Sequence, residues 1–414
     1  MKEQHDSFLD DLPNAWTFDR IKDVVTLRRG KTSEATADED YLELEDIESG
    51  TGRILSRRNT LEVESTVTIF KKGDILFGKL RPYLEKYYEA EFDGKCTGEI
   101  LAFQPQRIVS RFLFYCVGSR WFIERCNALA YGAKMPRVSW PTQLSQFNIP
   151  LPPLPEQERI AAYLDASCAS IDAAVAAKSR QLETLEAIYQ ASLHRAFAIE
   201  DWPRERVKDV STKIGSGVTP EGGASGYLDE GIPLLRSQNI HFDGLRLDDV
   251  AFISEETHAA MSNSQLRPRD VLLNITGASI GRCTYVPDDF GEGNVNQHVC
   301  IIRGNHKIEH RFLSAFLSSP MGQGQVLSSF TGASRQGLSH KELGLISIPL
   351  PSIGVQRNVV AELGRLKSQQ KEVRDNIESQ IETLVAYRKS LIHECVTGQR
   401  RISEADLNRE KAHG

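Results

Sequence analysis

The chain repeats itself at long range, and nothing else in it limits the possible folds as tightly. Ile149-Pro150-Leu151-Pro152 recurs as Ile348-Pro349-Leu350-Pro351, and each copy leads through a Gln, Gln157 or Gln356, into a long stretch of helical character. Leu182-Glu183-Thr184-Leu185 matches Ile381-Glu382-Thr383-Leu384, and Arg111-Phe112-Leu113 matches Arg311-Phe312-Leu313. Trp16 with Ile21-Lys22-Asp23-Val24 matches Trp202 with Val207-Lys208-Asp209-Val210. A period of roughly 190–200 residues is too long for a solenoid unit and suits a duplicated domain. The globular parts agree poorly, and the offset grows by about a dozen residues across Gly215 to Gly231. A duplicated frame with diverged contents suits two modules that meet different targets in equivalent poses.

Local patterning supports an α+β module. Val67 to Phe70, Asp74 to Phe77 and Ile100 to Phe103 read as short strands between Gly and charged turns. A helix is expected over Phe112 to Leu129 and a short one near Pro141 to Gln146. In the second half, strands are expected at Val271 to Ile275 and Val299 to Arg303. Pro150, Pro152, Pro153 and Pro155 make a stiff entry to a helix whose first turn carries Glu156 and Glu158. Up to Phe197 that segment holds Ala161, Cys168, Val175, Leu182 and Tyr189 on one heptad set and Leu164, Ile171 and Leu185 on the other, with Lys178 interrupting. This is a coiled-coil seam of about five heptads. Val360, Leu363, Ile377, Ile381, Leu384 and Leu391 repeat the register in the second long helix. Some 40 residues at 1.5 Å each make a rod of about 60 Å. The expected architecture is two duplicated globular domains separated by a pair of long antiparallel coiled-coil helices. The segment from Gly398 to Gly414 is expected to be loosely ordered.

Composition narrows the function. The 414 residues suffice for two or three domains. No run of 18 apolar residues stands out and Met1 to Asp11 lacks the apolar core of a signal peptide, so a cytoplasmic protein is expected. The seven cysteines include no C-x-x-C pair, which fits reduced, buried thiols better than zinc. With 50 Lys+Arg against 56 Asp+Glu the net charge is −6, unusual for a free-standing DNA binder unless charge is segregated or a partner adds positive field. Local basic groups occur at Arg28-Arg29, Arg57-Arg58, Lys71-Lys72, Lys79-x-Arg81 and Arg267-x-Arg269.

Catalytic signatures are lacking. Gly30-Lys31-Thr32 has the tail of a phosphate-binding loop, but Val25 stands where its first Gly belongs. No Asn/Asp-Pro-Pro-Tyr segment occurs, Pro287-Asp288-Asp289 has no Glu-x-Lys after it, and His393-Glu394 has no second His. The residues read as those of a binder. Two other readings stay open on this ground alone: a coiled-coil scaffold with two protein-binding modules, and an enzyme with an unfamiliar site.

The ordered motifs resemble those of the specificity subunits of type I restriction–modification systems, over nearly the whole chain. The second half has Gly217-x-Thr219-Pro220, Tyr227, Gly231-Ile232-Pro233-Leu234-Leu235-Arg236 and Asn239-Ile240. The first has Tyr41-Leu42-x-Leu44-x-Asp46-Ile47, Gly50-x-Gly52, Lys72-Gly73-Asp74-Ile75-Leu76, Gly132-x-x-Met135-Pro136-Arg137 and Glu156-Gln157-x-x-Ile160. The second copy keeps Gly332-x-x-Arg335 but departs at Val355-Gln356, where Glu-Gln is typical. The resemblance implies a first target-recognition domain over 1–150, a central conserved helix over 151–199, a second target-recognition domain over 200–352, a distal helix over 353–397 and a tail over 398–414. It implies double-stranded DNA as ligand, two methyltransferase subunits and motor–endonuclease subunits as partners, and no catalysis by this chain. S-adenosylmethionine and ATP/Mg would sit on those partners.

Base edges in the major groove are told apart by Arg or Lys on guanine and Asn or Gln on adenine, while phosphate contacts only position. The candidates are Lys79, Arg81, Lys134 and Arg137 in the first module. In the second they are Arg236, Gln238, Asn239, Gln297, Arg335 and Gln336. Diverged modules predict an asymmetric bipartite target with half-site centres about one helical turn, roughly 34 Å, apart.

Overall fold

The computed structural model describes residues 13–32, 40–59, 67–220, 223–333 and 337–413. The chain divides into two compact units, Met1–Ser179 with Glu378–Gly414, and Arg180–Ile377. Two 44-residue helices, Leu154–Phe197 and Ile353–Val396, each give one part to either unit.

In the first unit a four-stranded antiparallel sheet runs in the order Val25–Leu27, Ile100–Pro105, Ile75–Gly78, Tyr87–Glu89. Its inner face, with Ile75, Phe77 and Phe103, packs on Phe112, Leu113, Phe122 and Phe147. The stretch expected as one helix over Phe112 to Leu129 is two, Ser110–Gly118 and Arg120–Leu129. They break at buried Ser119, whose hydroxyl accepts from the Phe122 N–H as an N-cap. Near Pro141 to Gln146 there is only a 3-10 turn, Leu144–Gln146. A second sheet carries Asp40–Leu42 parallel to Gly94–Cys96. The Ile149-Pro150-Leu151 motif forms a strand paired with Thr17–Arg20, which closes the module on its own beginning.

The second unit repeats this plan. Its main sheet runs Ser211–Ser216, Val299–Gly304, Val271–Asn274, Cys283–Tyr285. Ile232–Leu235 lies parallel to Asn294–Val295, and Ser347–Pro349 pairs with Arg204–Arg206. Buried Val271, Leu273, Phe312, Phe316 and Ile348 form the matching core.

Within each unit the long helices pair antiparallel. In the first, Leu164 and Cys168 share a core with Leu391 and Cys395 while Asp172 meets Arg388 (3.3 Å). In the second, Glu186 meets Arg374 (3.2 Å) while Leu193 shares a core with Leu363 and Val360. The seam is unevenly buried: Ala161, Leu164, Cys168 and Ile171 are inside, but Val175, Leu182 and Leu185 are half-exposed.

Two expectations are corrected. The first long helix does contain an 18-residue window of mean hydropathy 1.3, long and apolar enough to cross a membrane by length and composition alone, as a core helix also can be; 39% of it is buried. That apolar surface includes Ile160, Leu164, Cys168 and Ile171, which belong to the first core. The end of the chain is ordered too. Glu404–His413 is helical, Ile402 is 4% exposed, and Arg401 reaches Glu156 (3.0 Å). Ile402 and Leu407 anchor it in the first core, which the charged composition concealed.

Candidate nucleic-acid interface

The frame of each module is held by the same hydrogen bonds. Gln157 Oε1 accepts from the Val109 N–H and its Nε2 donates to the Pro152 carbonyl, both at 2.8 Å. Gln356 does the same with Glu309 and Pro351, again at 2.8 Å. The departure at Val355 leaves these Gln bonds and the helix start at Ile353 intact, and removes only the carboxylate that Glu156 offers to Arg401 in the first copy. Asp46 Oδ2 accepts from the Glu43 N–H (2.8 Å) and Asn239 Oδ1 from the Arg236 N–H (2.9 Å), each closing a 3-10 turn. Asp74 and Asp270, each 1% exposed, accept from Lys71 and Arg267 N–H groups at 2.8 Å and bind Arg28 and Arg303 at 2.7 Å.

Polar loops gather at one end of each main sheet, where Gly78 faces Ile100 and Asn274 and Val299 are paired. In the first unit the Lys79 N–H donates to the Glu99 carbonyl (3.0 Å) and the Val138 N–H to the Lys79 carbonyl (3.0 Å). In the second, Ile275 donates to His298 (3.0 Å) and Leu338 to Ile275 (2.8 Å). Register thus equates Lys79 with Ile275 and Glu99 with His298.

All four first-module candidates meet at this end. Arg81 has φ 49°, its N–H donates to Pro136 (2.7 Å) and its Nη2 to the Lys134 carbonyl (3.2 Å). Tyr131 and Arg137 exchange backbone hydrogen bonds, with Gly132 at φ 101° turning the chain between them. Arg137 grips Glu99 with two bonds of 3.0 and 3.2 Å, and that contact raises its pKa. Among the described residues Lys79, Arg81 and Lys134 have no carboxylate within ion-pair distance. Four cations against one carboxylate make this a local positive patch in an acidic chain.

Each of the other basic groups has at least one member neutralised inside its own unit. Arg28 holds Asp74, Arg58 contacts Glu43, Glu45 and Asp46, Lys71 binds Asp93, and Arg269 binds Asp288. They brace loops, and their charge is spent.

In the second unit the Arg236–Asn239 turn lies beside the Asn296–His298 loop. The Asn296 N–H donates to the Leu235 carbonyl (3.1 Å), and Asn274 Nδ2 to the Ser237 carbonyl (2.8 Å). Gln297 is exposed, and among the described residues its side chain bonds only its neighbour His298 (2.9 Å). Exposed Gln238 reaches Asp249 Oδ2 (2.5 Å), and Arg236 lies 3.6 Å from the same carboxylate. Asn239 is the correction: it is 1% exposed and its Nδ2 donates to the Arg246 and Asp249 carbonyls (2.8 and 3.1 Å). A side chain committed on every edge holds the turn and has nothing left for a base. Arg335 and Gln336 lie outside the described residues. Sequence reasoning missed Glu99 and His298. Asp46-Ile47 and Asn239-Ile240 fall in separate sequence motifs, yet both follow a buried Leu, Leu42 or Leu235, by four residues.

All seven cysteines are buried and free. Burial pushes the thiols up, to about 12 for Cys96, Cys283, Cys300 and Cys395, so none is poised as a nucleophile.

A family model described as the type I restriction modification DNA specificity domain matches residues 13–184 and 200–383. The chain is 27% identical over 311 residues to the type I restriction enzyme EcoBI specificity subunit of Escherichia coli, a match covering 68% of this chain and 63% of that protein. It is 23% identical to the EcoKI specificity subunit of Escherichia coli strain K12, covering 91% of this chain and 86% of that one. Its fold matches a chain in a structure described as the basis of complex assembly and conformational transition of the type I R-M system. There the TM-score is 0.76 at 22% identity, over 94% of this chain and 99% of that chain.

Proposed function

We propose that this chain, which belongs to the type I restriction–modification DNA specificity domain family, is the DNA sequence-specificity subunit of such a complex. The observation that carries this reading is the pair of loop ends held by equivalent backbone bonds but bearing unlike side chains, Lys79 and Glu99 against Ile275 and His298. A constant frame fixes where side chains meet the duplex, and changed side chains alter which bases are preferred.

On this reading residues 1–150 and 200–352 act as target-recognition domains for the two halves of an asymmetric bipartite site. The helices over 151–199 and 353–397 set the gap and help dock two methyltransferase subunits. The chain does no catalysis of its own and acts in the cytoplasm. S-adenosylmethionine serves the methyltransferase partners, and ATP with Mg the motor–endonuclease subunits. Lys79, Arg81, Lys134 and Arg137 contact the first half-site. Arg236, Gln238 and Gln297, with Arg335 and Gln336, contact the second. A positive patch confined to the loops reconciles DNA binding with the net charge of −6.

The test is a genome-wide map of N6-methyladenine in a methylation-free host that expresses this chain with its cognate methyltransferase subunit. A split motif that vanishes without this chain, and that changes in one half only for Arg137→Ala, is expected. Methylation indifferent to this chain would sink the proposal.

A further inference from the structure

The two units differ in a space that the first fills and the second leaves open. In the first unit Tyr87, Phe114 and Tyr115, all at most 3% exposed, pack beside the long helices, with ring centroids 5.1 Å apart in each successive pair. Arg111 lies 4.2 Å over Phe114 and bonds Asp165 (2.6 Å) and Glu89 (3.1 Å), while the Tyr115 hydroxyl donates to Asp165 (2.6 Å).

Strand register and the shared Arg-Phe-Leu motif identify the counterparts. Tyr87 faces Phe77 across the sheet as Cys283 faces Leu273. Phe114 and Tyr115 become Ser314 and Ala315, immediately after Arg311-Phe312-Leu313. Asp165 follows Gln157 by as many residues as Gly364 follows Gln356, so the carboxylate is also gone. What remains is a groove of about 1040 Å³ whose lining includes Tyr189, Ser314, Ala315 and Gly364. Arg311 keeps its place but, among the described residues, has no ion-pair partner, and its guanidinium sits 5.7 Å from the Tyr285 ring. Arg357 and Lys367 line the same groove. Of the acids there, Asp243 and Asp288 are engaged by Arg246 and Arg269, which leaves Asp289 and Glu309 against the three cations Arg311, Arg357 and Lys367.

The first unit shows what chemistry completes such a space: aromatic rings against the helices and a carboxylate on the arginine. We infer that the groove in the second unit receives a segment of the methyltransferase subunit that presents an aromatic side chain and a carboxylate, the latter pairing with Arg311. The inference rests on the functional reading above, which supplies the partner, and goes beyond it in assigning the site and the chemistry. Charge complementarity selects an acidic segment. The room left along the groove by the loss of counterparts to Phe114, Tyr115 and Asp165 selects an aromatic anchor, the residue type that dominates interface energetics. The first unit needs no such guest, so the two methyltransferase copies dock with unequal affinity.

The test titrates the full chain with its cognate methyltransferase subunit by native mass spectrometry and calorimetry. Ser314→Phe/Ala315→Tyr/Gly364→Asp rebuilds, inside the second unit, the part of the first unit's filling that borders the groove. It is expected to bind one methyltransferase copy normally and the other at least about tenfold more weakly. Arg311→Glu, which fills nothing, is expected to weaken the same copy, and this keeps the test sound if the triple variant misfolds. Two copies bound by both variants as tightly as by the parent chain would overturn the inference and leave the functional reading intact. A parent chain that binds no methyltransferase would overturn both.

Discussion

Gln157 and Gln356 show how much organisation one neutral side chain can carry. Each is at most 1% exposed and ties the start of a long helix to the loop before the helix that begins at Ser110 or His310. Removing either amide leaves a part-buried N–H and a buried carbonyl unpaired. Gln157→Ala or Gln356→Ala should therefore cost about 2–3 kcal/mol, read from the urea-unfolding midpoint. Asp46 and Asn239 occupy one position with different chemistry. Burial works against the Asp46 carboxylate, but the Ser56 hydroxyl, the Glu43 N–H and Arg58 outweigh it and hold its pKa below the usual value of 3.8. A depressed folded-state pKa gives stability that is complete above the unfolded value and lost as pH falls through the folded one. Asp46→Asn, which copies the second module, should thus lose less stability than the parent between pH 5 and pH 2 (roughly the window bracketing a lowered carboxylate pKa). An equal loss in both proteins would show that Asp46 contributes nothing to acid unfolding.

The long helices are uniform in period and uneven in burial. Leu391 is 1% exposed in the first core, whereas Leu185 is half-exposed. Leu391→Ala removes fully packed methyl groups and opens a cavity, so it should cost about 3 kcal/mol; Leu185→Ala should cost less than about 1.5 kcal/mol. Chemical unfolding of the two variants separates these values, and equal costs would mean that the middle of the seam is as tightly held as its ends. The surface ion pairs along the helices, such as Lys371 with Asp375 at 3.7 Å, add little, since both partners are solvated. Packing at the ends, where each helix enters a module's core, decides helix stability.

At the scale of the whole molecule the duplication has a functional consequence. If the helices set the gap between half-sites, one extra helical turn near Leu182 to Ala187 adds about 6 Å and should widen the methylated motif by about one or two base pairs. Methylation mapping of the lengthened protein reads this directly, and an unchanged gap would refute the ruler. The unequal filling of the two modules predicts in addition that the copies of the partner are not interchangeable, even though the frame that presents them is.

The duplication, the α+β class, the heptad seams and both proline-bounded helix entries were legible in the sequence, because they rest on local stereochemistry and on periodic apolar residues that recur wherever the pattern does. The gathering of Lys79, Arg81, Lys134 and Arg137 at one sheet end was half legible: the residue types suggested the chemistry, but only strand register brings together segments more than fifty positions apart. The neutralisation of Arg28, Arg58, Lys71 and Arg269 was hidden for the same reason, since a basic dipeptide does not reveal which carboxylate the fold will set against it. Asn239 looked like a reader of adenine until its burial showed every amide edge in use. The exchange of Phe114, Tyr115 and Asp165 for Ser314, Ala315 and Gly364 lies in plain view along the chain, yet it becomes one groove only when two helices converge on it. Sequence fixes period and chemistry along the chain, and the tertiary fold decides which of those groups share a dielectric, a partner or a void.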